Sequence, residues 1–270
     1  TIGRELATLA RKQGRRSVVI VGGGLEGVEA LGEILRRYPG LDGLAITLLE
    51  AGPRLLPGTP ARLDAAVRAH CEGRNVRILT DSPVIAVTPK QVRLRGGEII
   101  RSDLTLWTGG VTAPALLFES GLADKPRQWA PVTQALRSKR FDNVFVIGDA
   151  AALPHALAKQ AYYALQMGAA AAVNVKRALA GRRLRDFKPA AKPMLIAFGN
   201  LDTFLVSGRT VIASPTLAAL KEAVFQVTMA EIDPPLNPSA LGHMTDRLRT
   251  AATQLAVPTI RRLLKTQRLG

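Results

Sequence analysis

The chain has 270 residues, enough for more than one domain and a sizeable core. Hydrophobic residues make up 47% and aromatics only 4%, which excludes a disordered or low-complexity chain and fits a globular α/β core of Val, Leu, Ala and Ile. A net charge of +16 fits either an anionic partner or a solvated Arg-rich surface, while the single cysteine, Cys71, excludes an intrachain disulfide and any C-x-x-C redox pair.

Residues 2–12 read as an amphipathic helix. Because the chain opens inside that pattern, on Thr1, it is expected to continue upstream. A buried strand, Ser17 to Val21, then turns at Gly22-Gly23-Gly24-Leu25-Glu26-Gly27 into a helix with Val28, Leu31, Ile34 and Leu35 on its apolar face. A second strand runs from Leu44 to Glu50, followed by a Pro/Gly-rich loop, a helix from about Pro60 and a strand from Val76 to Thr80. Short alternating segments around the Gly96-Gly97 turn lead to Leu104-Thr105-Leu106-Trp107-Thr108-Gly109-Gly110, a strand with a glycine exit. Together, residues 15–110 predict a βαβαβ nucleotide-binding domain.

Gly22, Gly24 and Gly27 fit G-x-G-x-x-G with a strand before and a helix after. The first glycine permits the tight turn, the second lets backbone approach a pyrophosphate, and the third allows close helix–strand packing. Glu50 closes the second strand where an acid binds both ribose hydroxyls, with Ala51 beside it. An NAD(H) site is therefore expected from Gly22, Gly23, Gly24, Leu25, Gly27, Glu50 and Ala51. Glu50 repels a 2′-phosphate and so favours NADH over NADPH, and Arg54 keeps that choice open. Glu29 has two readings: a dipole partner early in the helix, or a carboxylate projecting toward the nicotinamide.

The second block, residues 111–180, carries Asn143-Val144-Phe145-Val146-Ile147-Gly148-Asp149, an apolar strand ending in a Gly-Asp turn suited to a ribityl hydroxyl. A helix is expected from Leu157 to Ala180, with Lys159 in its first turn, where the dipole disfavours a cation. Lys159 is either solvated or aimed at a flavin ring.

The third block, residues 181–270, opens on the basic linker Gly181-Arg182-Arg183-Leu184-Arg185 and carries strands Met194 to Phe198 and Thr203 to Val206 and a helix Leu217 to Thr228. Residues 242–269 are amphipathic, with Met244, Leu248, Ala251, Ala252 and Leu255 on one face at 3–4 spacing and basic side chains elsewhere, which fits a membrane-surface anchor or a helix docked on its own domain. No stretch has the length of a membrane-spanning helix, and three scattered histidines predict no metal site.

Four segments carry a family resemblance: Val18 to Glu29 (VVIVGGGLEGVE), Leu49 to Pro57 (LEAGPRLLP), Leu106 to Val111 (LWTGGV) and Asn143 to Ala151 (NVFVIGDAA). In this order and spacing they resemble the two-dinucleotide-binding-domain flavoproteins, in particular type II NADH:quinone dehydrogenases and apoptosis-inducing-factor-like quinone reductases. The resemblance implies an α/β fold: a Rossmann-like NAD-binding domain, the second half of a Rossmann-like FAD-binding domain and a small C-terminal region. It also implies hydride transfer from NADH to FAD and electron delivery to a quinone or other small acceptor. By the same resemblance Glu29 lies near nicotinamide and flavin, Gly109 and Gly110 line the cofactor region, and Gly148 and Asp149 hold FAD. Lys159-Gln160-Ala161-Tyr162 is similar to the K-x-A-Y pattern of the apoptosis-inducing-factor-like branch, where the Lys approaches the flavin. The A-Q-x-A-x-Q-Q pattern of type II dehydrogenases is kept only in part, around Gln166.

The resemblance also implies a first G-x-G-x-x-G strand for the ADP part of FAD, which is not in this sequence. Peripheral attachment at the cytoplasmic face of the cell membrane, or a cytoplasmic location, and a homodimer are the matching expectations. Rival readings are a soluble NAD(P)H-dependent reductase of a ferredoxin or rubredoxin and an NAD-binding fragment without catalysis. A disulfide reductase is excluded by the lone cysteine, and no motif predicts specific nucleic-acid binding.

Overall fold

A computed structural model describes residues 2–40, 43–190 and 193–232. The described residues form two compact units, one of those up to Gly109 together with residues 193–232, the other of residues 110–190. This division differs from the three expected blocks, because residues 193–232 pack with the first unit.

In the first unit α1 (Ile2–Arg11) leads to β1 (Arg16–Val21), α2 (Leu25–Arg37), β2 (Leu44–Leu49), α3 (Ala61–Cys71) and β3 (Val76–Leu79). A three-stranded antiparallel sheet follows, β4 (Val84–Val87), β5 (Gln91–Leu94) and β6 (Ile99–Arg101), and then β7 (Leu104–Trp107). The order β3-β2-β1-β7, all parallel, is Rossmann-like. Each face of that sheet is covered. Val18 and Ile20 pack with Val28, Leu31 and Leu35 of α2 and Leu63 and Val67 of α3, while Val19, Val21 and Leu49 pack with Val92, Leu94 and Ile100. Burial on both faces is why β1 reads as an unbroken apolar run instead of an alternating one. Arg16 ties α1 to the sheet, donating from Nη1 to the carbonyls of Ala10 and Lys12.

The second unit interrupts the first in chain order. It holds α4 (Ala115–Glu119), the short parallel pair β8 (Ala130–Pro131) and β9 (Ala151–Ala152), and α5 (Ala161–Leu179). The expected strand at Val144 to Ile147 forms only bridging contacts with residues 132–138, and Gly148–Ala150 is a single 3₁₀ turn. The expected helix start at Leu157 also shifts: α5 begins at Ala161 behind the N-cap residue Gln160, so Lys159 precedes the helix. Asn174, almost fully buried in α5, donates to the carbonyls of Ala135 and Arg185 and accepts from Arg185 N, which pins the returning chain to the helix.

Strands β10 (Met194–Phe198), β11 (Asp202–Ser207) and β12 (Thr210–Ala213) and helix α6 (Leu217–Ile232) then complete the first unit. The alternation of these strands divides their side chains cleanly. Ile196, Phe198, Phe204 and Val206 join the core under α2, and Leu195, Leu205 and Ile212 pack with Leu217 and Leu220 of α6. Gly32 makes the close approach possible, since a Cβ there would lie 2.5 Å from the Phe198 carbonyl carbon. The basic segment 242–269 lies outside the described residues. No helix among the described residues is long and apolar enough to cross a membrane.

Candidate nucleotide-binding sites

The glycine turn sits at the C-terminal edge of the parallel sheet, between β1 and α2. Three of its glycines are required by the protein itself. Gly22 has φ +111°, and a Cβ on it would lie 2.4 Å from the Thr108 carbonyl oxygen. A Cβ on Gly23 would lie 2.6 Å from Leu55 Cδ2, and one on Gly27 only 1.8 Å from the Gly22 oxygen. Gly24 is different: a Cβ there would meet nothing within 4 Å. Gly24 is also the N-cap residue of α2, and no side chain caps the helix. The first amides of α2, including those of Leu25 and Gly27, therefore lie at an open, electropositive helix end.

Glu50, one residue past β2, faces this turn. Its Oε2 accepts from Gly23 N at 2.7 Å and its Oε1 from Gly52 N at 2.8 Å, so backbone amides fix its orientation. Each carboxylate oxygen keeps further acceptor capacity. Ala51 beside it is exposed. Arg54 turns back into its own loop, donating to the carbonyls of Leu56 and Thr59. That loop is itself bound to the glycine turn by Leu56 N donating to the Gly23 carbonyl at 2.8 Å, with Leu56 at φ +51° and buried.

The sequence reading did not single out Thr108. Its hydroxyl donates to the carbonyls of Val21 and Gly22, at 2.9 and 3.0 Å, and so locks the end of β7 to the glycine turn. Gly109 follows, and a Cβ on it would lie 3.0 Å from Trp107 Cζ2. Gly110, at φ +95°, opens the second unit.

Glu29 is the fifth residue of α2, and the acid in the first turn is Glu26. Glu29 Oε1 accepts from Ala197 N at 2.9 Å and from Lys221 Nζ, with both side chains about one-third exposed. The carboxylate thus joins α2 to β10 and α6. Only long-range partners reveal this, since Ala197 and Lys221 lie 168 and 192 positions away.

In the second unit Gly148 has φ +61°, and its amide points to Met167 Sδ at 3.1 Å. Asp149 is exposed, and its carboxylate makes no hydrogen bond or ion pair among the described residues. Lys159 Nζ donates to the Asp149 carbonyl and sits 3.6 Å from the centre of the Trp129 ring. Burial holds the Lys159 ammonium below the ordinary lysine range, against the opposing pull of Asp149. A small cleft joins Gly148, Asp149, Lys159, Gln160, Tyr163 and Met167. Gln166 accepts from Ala190 N.

Cys71 is buried in α3, and desolvation raises its thiol pKa to about 11. No group of acids, histidines and cysteine able to hold a metal occurs among the described residues.

Residues 4–168 match the family model of the pyridine nucleotide-disulphide oxidoreductases. The chain belongs to that family. A type II NADH:quinone oxidoreductase of Haemophilus influenzae is 31% identical over 199 residues, covering 68% of this chain and 45% of the relative. The enzyme of that name from Staphylococcus aureus is 30% identical over 225 residues, 77% of this chain and 56% of its own length. The chain thus spans about half the length of these relatives. The solved structure of NDH2 from Plasmodium falciparum in complex with NADH superposes with a TM-score of 0.66 at 14% identity, covering 93% of this chain and 67% of that one. The sulfide:quinone oxidoreductase of Aquifex aeolicus gives 0.66 at 16%, covering 87% and 66%. These likenesses establish the mixed α/β, Rossmann-like fold.

Proposed function

We propose that this chain is the NADH-binding and partial FAD-binding part of a flavoenzyme that oxidises NADH and reduces a quinone. The observation that carries the reading is the contrast within the glycine turn. Gly22, Gly23 and Gly27 are closed off by protein atoms, and Gly24 alone opens onto free space at a helix N-terminus, beside a carboxylate fixed by two amides.

The pyrophosphate of NADH fits against Gly24 and the first amides of α2, where partial positive charge and bare backbone coincide. Glu50 then accepts from the adenosine ribose hydroxyls, with Ala51 beside it. Its negative charge disfavours a 2′-phosphate, and Arg54 is turned into its own loop, toward the carbonyls of Leu56 and Thr59. NADH is accordingly the expected donor.

The Gly148–Asp149 turn has the features an FAD chain needs: a backbone bend without a Cβ, an exposed carboxylate for a ribityl hydroxyl, and the Lys159 ammonium close by. When bound, the flavin supplies the hydride-accepting and electron-passing chemistry. Lys159 contributes positive charge on that side, and Gly109 and Gly110 keep the exit of β7 free of side chains. Glu29 enters as the residue that fixes α2, and with it the dinucleotide turn, to Ala197 and Lys221. A role near the nicotinamide requires it to release Lys221 or act with it. The quinone follows from the names of the relatives, and peripheral attachment at the cytoplasmic membrane face through residues 242–269 follows from their basic, amphipathic pattern.

The test is an anaerobic absorbance titration of the purified chain with FAD and then NADH, followed by a quinone. NADH binding with flavin uptake, bleaching and reoxidation by quinone supports the whole reading. NADH binding without flavin uptake reduces the function of this chain to nucleotide binding. No NADH binding overturns it.

A further inference from the structure

The second unit places an aromatic ring where the proposed flavin site does not obviously call for one. Trp129 lies one residue before β8, and β8 pairs in parallel with β9, which follows the Gly148–Asp149 turn. The register Ala130↔Ala151 therefore sets the height of the indole relative to Asp149. Its ring is half-buried against the cluster of Ala113, Leu117, Ala130, Val132 and Val146, so it is a fixed plate.

Lys159 is the opposite kind of group, a long flexible stem ending in a cation just ahead of the positive end of α5. The dipole pushes it away from the helix, and side-chain entropy favours release into water. Two contacts oppose that release: the Asp149 carbonyl, which accepts from Nζ, and the Trp129 face at 3.6 Å. A carbonyl fixes one direction, and the ring face restricts the others.

We infer that Trp129 is a positioning residue for the flavin site: its indole holds the Lys159 ammonium against the Gly148–Asp149 turn and so fixes the positive charge that a bound flavin meets. This rests on the FAD reading above. The partial burial that lowers the Lys159 pKa agrees with a cation shielded on one side by the ring. The sequence contains only one other tryptophan, Trp107, so the contact has its own optical reporter.

The test uses W129L, W129F, K159M and the W129L/K159M double variant, with thermal melts to establish that each folds. In the flavin-free chain carrying W107F, K159M is expected to change the emission and quenching of Trp129. With FAD, W129L is expected to weaken affinity about two- to fivefold, the size of an exposed cation–π contact, and to shift the flavin midpoint potential in the negative direction, as K159M does. W129F is expected to recover most of both, and the double variant to match K159M alone. Unchanged Trp129 emission in K159M overturns the inference. So does a W129L effect that persists in full on the K159M background, since that marks a packing role. FAD uptake by the unmodified chain with no change in W129L overturns the inference alone. No uptake by the unmodified chain overturns the FAD reading and the inference with it.

Discussion

Gly24→Ala tests whether the open glycine of the turn is the one proposed to meet the pyrophosphate. Gly24 has φ −75° and ψ −164°, a conformation open to any L residue, and the new methyl would meet nothing within 4 Å. Alanine is a poorer N-cap than glycine, so the fold should lose no more than about 1 kcal/mol. The methyl would, however, fill the space through which a phosphate reaches the backbone. Losing one hydrogen bond to a charged group is worth about 1.5–3 kcal/mol, or roughly a 10- to 150-fold rise in the dissociation constant for NADH. The matched control is Gly27→Ala, whose methyl would lie 1.8 Å from the Gly22 oxygen. No rotamer relieves a clash with backbone, so the turn must move, at a cost of about 3 kcal/mol or more. The assay is urea unfolding paired with NADH titration by calorimetry. Gly24→Ala should retain its midpoint and lose affinity, and Gly27→Ala should lose both. Unaltered affinity in a well-folded Gly24→Ala protein would refute the placement of the pyrophosphate.

Three further outcomes follow from single contacts. Glu50→Ala removes the acceptor of two amides and, on the proposed function, of the ribose hydroxyls; NADH affinity should fall by about 10- to 100-fold, and discrimination against NADPH should narrow, as competitive titrations would show. Gly32→Ala drives a methyl to 2.5 Å from the Phe198 carbonyl carbon and should destabilise the first unit by about 2–4 kcal/mol in urea unfolding; a midpoint equal to that of the unmodified chain would remove the close approach of α2 and β10. Burial pushes the Cys71 thiol from its ordinary 9.0 up to about 11 in the folded chain. Between those values the unfolded chain has already lost the proton that the folded chain keeps, so stability should fall as pH rises from 9 to 11, by roughly 1–3 kcal/mol. Cys71→Ala should flatten that slope, and an equally steep fall in the variant would assign it to other groups.

Local pattern carried much of the first unit. The strand from Ser17 to Val21, the glycine turn, the apolar face of α2 and the acid at the end of β2 are all defined by neighbours within one βαβ span, where the rules of turn, helix and strand act together. The second unit was less legible. Val144 to Ile147 has the composition of a strand, but a strand exists only by pairing, and here residues 132–138 supply isolated bridges. The residues after Leu157 have helical composition, which places Lys159 inside a helix by pattern alone; the helix instead begins behind Gln160 as its N-cap residue. Contacts made across 168 or 192 positions, such as those of Glu29, leave no periodic trace.

Glu29 shows how far a motif and a contact can each be taken. The family pattern places this glutamate by its spacing from the glycines, and that spacing is intact: α2 starts where the turn requires, and Gly27 packs against Gly22. What the pattern does not encode is what stands opposite. The Ala197 amide belongs to β10, whose seat on α2 depends on Gly32 accepting the Phe198–Gly199 backbone, and Lys221 belongs to α6, which covers the other face of the same sheet. The carboxylate therefore reports whether that whole layer is seated. A surface ion pair by itself contributes at most about 1 kcal/mol. The Ala197 amide adds a directional hydrogen bond to that pair and so fixes the orientation of the carboxylate. Residues 193–232 thus hold α2, and with it the open helix end at Gly24, alongside the glycine motif.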